Sequence, residues 1–381
     1  MTPNLQHIEL ANAQTALATP TNISLAAGLA GALLMQSHLY SLQPEEARGE
    51  RIIKMIASLI HQVQTREMST GLWDGLTGIL YSLEYTLKVA PVLVPPAVVE
   101  FIGNMDDLLI GYVAPDAEPQ HFDIISGIAG LGAYALMRTN INAARLLYQA
   151  VEARLIGLSS MIASGRVWRT LPQFMSPFAS TESREHGHVD LGLAHGLPGV
   201  VQLLAGAVRH GLATPQTGTY LREACDALIS LQSDSMDGAR YAYFDIHPSD
   251  SRLAWCYGDL SAAFAIYSAA DALRHPVWLQ MARTLLLERL QKPESSFGLE
   301  DAALCHGHSG VLHLVQKIAV RDQQPAYMRF VNERRAALGE GSDDFESRAG
   351  LLEGHAGVLL VLQNSPDLGR HHWDVCLCMG Y

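Results

Sequence analysis

The sequence is poor in cysteine, in basic residues and in charge altogether. Five cysteines in 381 residues are too few for the disulfide framework of a small secreted fold, and they suit a reducing compartment. With 26 basic against 38 acidic side chains, the formal net charge is −12, which argues against the basic face that a nucleic-acid binder needs. Charged residues make up 17%, below the roughly 25% of an average globular chain, while apolar residues reach 49%. A chain this long and this apolar buries a large core, so wholesale disorder is excluded. The first residues, MTPNLQHIELANAQ, show neither a basic start nor an apolar run, and no secretory signal is visible. No apolar stretch of membrane-spanning length, about 18 residues, occurs. Val89 to Ile102 comes nearest and is broken by Pro91, Pro95 and Pro96. The expectation is a soluble, cytoplasmic protein that binds no nucleic acid. At about 150 residues per domain, length alone suggests two or three domains.

Glycine is plentiful, with 32 residues, and its placement carries a repeat. Gly-x-x-Gly followed by an apolar run occurs at Gly28–Gly31, Gly75–Gly78, Gly127–Gly130, Gly196–Gly199, Gly307–Gly310 and Gly354–Gly357. Gly258 opens a seventh, where Ser261 replaces the second glycine. The first glycines follow one another at intervals of 47, 52, 69, 62, 49 and 47 residues. One such match means little, but seven in register do.

Each unit reads as two helices. The run after the glycines is apolar on nearly every side, as in GLPGVVQLL, and suits an inner helix buried all round. The stretch before the next glycines, as in HPVWLQMARTLLLERLQK, is amphipathic and suits an outer, half-exposed helix. An open stack of such hairpins needs polar end units. The first and last units here are as apolar as the middle ones, which favours closure. The expected fold class is therefore all-α, a seven-fold α/α toroid forming one domain over residues 1–381. Closure would gather all seven pre-helix turns at one end of the ring, around one pocket. The widest interval holds TLPQFMSPFASTESREHGH, which reads as a rim loop over residues 166–190.

Several turns carry reactive side chains. His195 stands in LAHGLPG; Arg252, Trp255, Cys256 and Tyr257 in SRLAWCYGD; Cys305, His306 and His308 in LCHGHSG. A lone buried cysteine is usually an apolar filler, and Cys225, on an amphipathic stretch, keeps that reading. Cys256 and Cys305 differ because they fall at matching places in neighbouring repeats. With His306 they would make a Cys₂His zinc set with one open position, the arrangement of catalytic sites. His186 and His188 could bind metal adventitiously, and Cys376 and Cys378 receive no role.

WCYG at 255–258, CHGHSG at 305–310, AHGLPG at 194–199 and the recurrent glycines together resemble the lanthionine synthetase C-like family. Within it, the resemblance is to the stand-alone cyclases of class I lanthipeptides, and it runs over essentially the whole chain. It implies an α/α toroid holding one zinc ion, with Cys256, Cys305 and His306 as ligands. His195 matches a histidine implicated in acid–base catalysis, Asp123 an acidic residue near the zinc, and Arg252 and Tyr257 further pocket positions. Asp123 as a helix cap and Arg252 as a partner for rim carbonyls stay open as structural readings. Ser261, His308 and His355 depart from the family pattern. The implied activity joins cysteine thiols to dehydrated serine or threonine in a peptide. The implied partners are a leader-bearing dehydrated precursor peptide, a separate dehydratase and a membrane-associated biosynthetic complex. Addition of glutathione by the same fold, and a non-enzymatic scaffold, are the alternatives. A toroidal glycosidase would need paired carboxylates, and these turns offer Cys and His instead.

Overall fold

The architecture follows from the computed structural model, which describes residues 3–18, 22–118, 120–175, 180–233, 239–246, 251–299, 301–340, 349–363 and 372–378. Fifteen α-helices occur among the described residues. In chain order they are α1 (Pro3–Ala18), α2 (Leu29–Leu42), α3 (Glu46–Thr65), α4 (Leu76–Val89), α5 (Pro96–Tyr112), α6 (Ile128–Met137), α7 (Ile141–Gly157) and α8 (Thr181–His186). There follow α9 (Leu197–His210), α10 (Thr217–Ser230), α11 (Asp259–Leu273), α12 (Pro276–Leu290), α13 (His308–Asp322), α14 (Pro325–Glu340) and α15 (His355–Gln363).

Seven of these, α2, α4, α6, α9, α11, α13 and α15, each touch the next, and α15 touches α2. The ring is thus closed, as the apolar end units require. The inner helices are buried on nearly every side: every residue of α6 is buried, and α2 is buried from Leu29 to Leu39. The outer helices bury one stripe, such as Ile52, Met55, Ile56 and Leu59 of α3. The last inner helix has no outer helix after it among the described residues. Helix α1, from the other end of the chain, packs on both α15 and α2 and takes that place.

The turns before the inner helices are joined by a closed circle of backbone hydrogen bonds. Ala26 N donates to Trp73 O, Trp73 N to Ile125 O, Ile124 N to Ala194 O and Ala194 N to Cys256 O. Cys256 N then donates to Cys305 O, Cys305 N to Leu352 O, and Leu352 N back to Ala26 O. At about 1 kcal/mol net apiece these bonds add little beside the burial of the inner helices, where one large apolar side chain contributes about 1.5–3 kcal/mol. Their effect is register: all seven turns lie at one end, with equivalent residues side by side.

The second turn glycine exists for close packing. A Cβ at Gly78, Gly310 or Gly357 would lie 2.0–2.1 Å from the carbonyl oxygen six residues earlier, so only glycine admits that carbonyl. The fifth turn is built differently. Its first glycine, Gly258, takes φ +88, and Ser261 stands where the second glycine is expected.

Residues 166–190, expected as a rim loop, are more ordered than that. They hold half of a short antiparallel hairpin, Ser160–Ile162 with Gly165–Val167, then helix α8 and a bridge between Thr170 and His188. Trp168 and His188 are buried. Residues 176–179 of that segment lie outside the described residues.

Candidate active site

Counting back from each turn glycine, one repeat position holds Ala26, Trp73, Ile125, Ala194, Cys256, Cys305 and Leu352. These are the residues of the hydrogen-bonded circle, so Cys256 and Cys305 are neighbours by construction. The position between each of these and its glycine holds Ala27, Asp74, Ser126, His195, Tyr257, His306 and Glu353. Reactive side chains therefore cluster in three successive units of the ring. The ligand atoms of Cys256, Cys305 and His306 all lie within 4.8 Å of one another. Cys256 is buried and Cys305 half-buried. Cys305 hydrogen-bonds the Cys256 sulfur, which lowers Cys256 and raises Cys305; the Arg252 guanidinium lowers Cys256 further. His306 Nε2 sits 3.1 Å from Asp301 Oδ2, so a carboxylate orients the ring and leaves Nδ1 for a ligand role.

One unit away, His195 Nδ1 meets Asp123 Oδ2 at 2.5 Å. The other oxygen of Asp123 accepts from Gly127 N at 2.7 Å and Ser126 N at 3.0 Å. Asp123 thus ties down the turn before α6, without capping the helix itself, and is the partner of His195. Burial opposes its charge, yet hydrogen bonds from His121 and His195 hold the carboxyl below the usual carboxylate range. For His195, burial disfavours the charged ring, but the hydrogen bond and charge of Asp123 raise the imidazole above its ordinary value. Its side chain remains 43% exposed, so solvent or a ligand reaches it.

Tyr257 donates its hydroxyl to Asp190 Oδ2 at 2.8 Å. Burial, then the Asp190 charge, push the phenol far above its ordinary range. Arg252 donates Nε to the Tyr243 hydroxyl at 2.8 Å and lies over the Tyr243 ring. Tyr243 also packs against Tyr257, with ring centroids 4.7 Å apart. Cys256, Cys305, His306, His195, Asp123, Arg252 and Tyr257 thus converge on one end of the ring.

Asp190, Asp301 and Tyr243 escape the sequence reading. The two aspartates share a position six residues before their turn glycines, which is a usable signal. Asp190 O and Asp301 O also accept the first helical N–H of Leu197 and His308, so the position has a structural use as well. Tyr243 lies outside the turns and carries no such mark. Among the histidines not assigned as ligands, His188 packs on Phe244, with ring centroids 4.1 Å apart, and His308 lies near Arg334 and Glu294.

Burial pushes the Asp190 carboxyl up to about 6 against 3.8 in the unfolded chain. Between those values the folded protein keeps a proton that the unfolded chain has lost. The contribution to stability is therefore complete below about pH 4 and is lost as pH rises through about 6. Relative to Asp190→Asn, the wild type should lose about 3 kcal/mol of unfolding free energy between the two ends of that window. Urea titrations of both proteins at several pH values measure the difference, and a pH-independent gap refutes it.

Among the described residues, no helix is long and apolar enough to cross a membrane. The family model for lanthionine synthetase C-like proteins matches residues 19–378. Nisin biosynthesis protein NisC of Lactococcus lactis subsp. lactis is 24% identical over 370 residues, covering 89% of this chain and 84% of that protein. The solved structure of a nisin cyclase superposes with a TM-score of 0.79 at 19% identity, covering 98% of this chain and 96% of that one. At that identity, the superposition speaks for the fold, a helical toroid.

Proposed function

Because the chain belongs to the lanthionine synthetase C-like family, we propose that it is a zinc-dependent lanthipeptide cyclase. It would add cysteine thiols of a dehydrated, leader-bearing precursor to dehydroalanine or dehydrobutyrine, closing lanthionine or methyllanthionine rings. The observation that carries this reading is the convergence of Cys256, Cys305 and His306 within 4.8 Å, beside the His195–Asp123 pair. Two thiols, an imidazole and a carboxylate behind it form a donor set suited to zinc, with a coordination position left over. Zinc bound there would supply the charge that keeps an incoming thiol ionised, since a thiol of pKa about 8.5 is only a few per cent ionised at neutral pH.

The protein's own groups account for the rest of the addition. Sulfur bonds to the β-carbon, the alkene pair moves onto the carbonyl oxygen, and the α-carbon then takes a proton. With Nδ1 fixed by Asp123, His195 presents Nε2 as the donor, and the Asp123 carboxylate favours the protonated ring. Arg252, anchored through Nε by Tyr243, retains its Nη donors for the developing oxyanion. Tyr257 is held by Asp190 and shapes the pocket wall. The peptide chain aligns thiol and alkene, and such alignment is worth many orders of magnitude in effective concentration. We read residues 1–381 as a single toroid domain, and assign preparation of the substrate to a separate dehydratase within a membrane-associated complex on the cytoplasmic side.

The direct test is a zinc-loaded preparation incubated with a synthetic peptide carrying one dehydroalanine and one cysteine. Ring closure leaves the mass unchanged and removes the thiol from alkylation, and tandem mass spectrometry then finds a thioether-linked segment. A thiol that stays alkylatable with zinc bound overturns the reading. With glutathione present, a product heavier by one glutathione would instead favour intermolecular thiol addition.

A further inference from the structure

Residues 372–378 run inside the ring, against α4, α6 and α13, and include the Cys-x-Cys pair that the metal centre leaves unused. The segment climbs the lumen from the far end toward the turns. His372 lies within the electrostatic reach of Lys88 and Arg321, which stand in the last turns of α4 and α13. Asp374, buried, accepts from Lys317 Nζ and pairs with His313 Nε2 at 2.8 Å. The Trp373 ring stacks on His313. Tyr81 then clasps the segment, donating its hydroxyl to Trp373 O and accepting from Cys376 N, each at 2.9 Å. At the top, Trp255 Nε1 donates to Leu377 O at 3.2 Å. Trp255 is the residue before Cys256.

This contact falls at the one turn that departs from the glycine pattern. In six turns the second glycine lets the carbonyl six residues earlier pack against the inner helix. In the fifth turn that residue is Trp255, and Ser261 has a Cβ where the glycine hydrogen should be. The equivalent residues in the other turns are Leu25, Leu72, Ile124, Leu193, Leu304 and Leu351. Only the indole is long enough to reach down the lumen and carry a donor. The turn that lacks the glycine clamp is therefore held by the segment below it. The latch is firm, because leaving Lys317 or Asp374 buried without its partner is strongly unfavourable. Cys376 and Cys378 are buried packing residues, and burial pushes both thiols up, Cys378 to about 12.

We propose that residues 372–378 are a positioning element for the metal centre: latched by Asp374 to Lys317 and His313, they fix the Trp255 indole and hence set Cys256 beside Cys305 and His306. This rests on the reading of those three residues as metal ligands. Three variants test it, each assayed for zinc affinity by chelator competition, for the absorption of the cobalt-substituted protein, and for the Tm of the metal-free protein. Trp255→Phe keeps an aromatic ring and removes the donor; Asp374→Ala opens the latch. Both should weaken zinc by about tenfold or more, the size of effect seen when groups that orient metal ligands are lost, and alter the cobalt spectrum. Asp106→Asn disturbs a buried ion pair with Arg138 elsewhere in the ring, and should lower Tm while leaving zinc affinity alone. If Asp374→Ala does not fold, Trp255→Phe decides. Wild-type affinity in the variants that fold, or equal weakening by Asp106→Asn, overturns the positioning role. A wild-type protein that takes up no zinc overturns the ligand reading and this inference together.

Discussion

Cys305→Ala should leave a folded protein that neither retains zinc nor closes rings. Complete structural zinc sets of four ligands bind with about 10–16 kcal/mol, so one lost ligand removes about 3 kcal/mol, and affinity falls at least about a hundredfold. At ordinary zinc concentrations the site would then be mostly empty, and cyclisation should drop to the uncatalysed rate. The fold should survive, because Cys305 is half-buried and its backbone, which donates to Leu352 O and accepts from Cys256 N, is unchanged. Cys225→Ala is the informative contrast. Cys225 is fully buried on α10, remote in sequence from the turns, and its loss should lower Tm while zinc content and turnover stay as in the wild type. Metal analysis beside the thiol-consumption assay separates the two. Full activity in a metal-free Cys305→Ala preparation would sink the zinc site.

His195→Ala should show the opposite pattern, with zinc retained and turnover lost. General acid catalysis contributes about 10²–10⁴-fold, which is the expected fall in rate for the substituted enzyme. Asp123→Asn should be milder and should change the shape of the pH profile. The carboxylate raises His195, so activity that needs the protonated ring persists to higher pH in the wild type and is lost as pH rises through the histidine's pKa. Without that charge, the alkaline limb should move to lower pH. A profile that does not move would remove Asp123 from the proton-transfer apparatus and leave it as a brace of the turn before α6, the role its bonds to Ser126 N and Gly127 N also support.

The ring is legible in the sequence because one local requirement recurs seven times in phase. A turn whose carbonyl must pack against the next helix needs glycine, and glycine in phase marks every inner helix but the fifth in full. The metal cluster is legible for the same reason, since equal phase means equal place in a closed ring. Asp190 shares its phase with Asp301 alone, and Tyr243 obeys none that the turns reveal. Each acts by meeting a turn side chain through space, Asp190 at Tyr257 and Tyr243 at Arg252, and periodicity is silent about such meetings. Helix α1 and the lumen segment Trp373–Leu377 are hidden likewise. Neither carries the repeat, and their places become defined only once the ring is closed.

Seven helices beginning at one end of a ring have an electrical consequence. Each helix start carries the equivalent of about half a positive charge, and here seven face one pocket. In a protein of net charge −12, these backbone dipoles contribute a positive field at that end, opposed in the same turns by the carboxylates of Asp74, Asp123, Asp190, Asp301 and Glu353. That field favours ionised sulfur at Cys256 and Cys305 and any oxyanion formed between them and His195. The opposite end is correspondingly negative, and Lys88, Arg209 and Arg321 stand there in the last turns of α4, α9 and α13. The backbone of the ring is polarised along its axis, and the reactive residues all sit at the positive end of its helix dipoles.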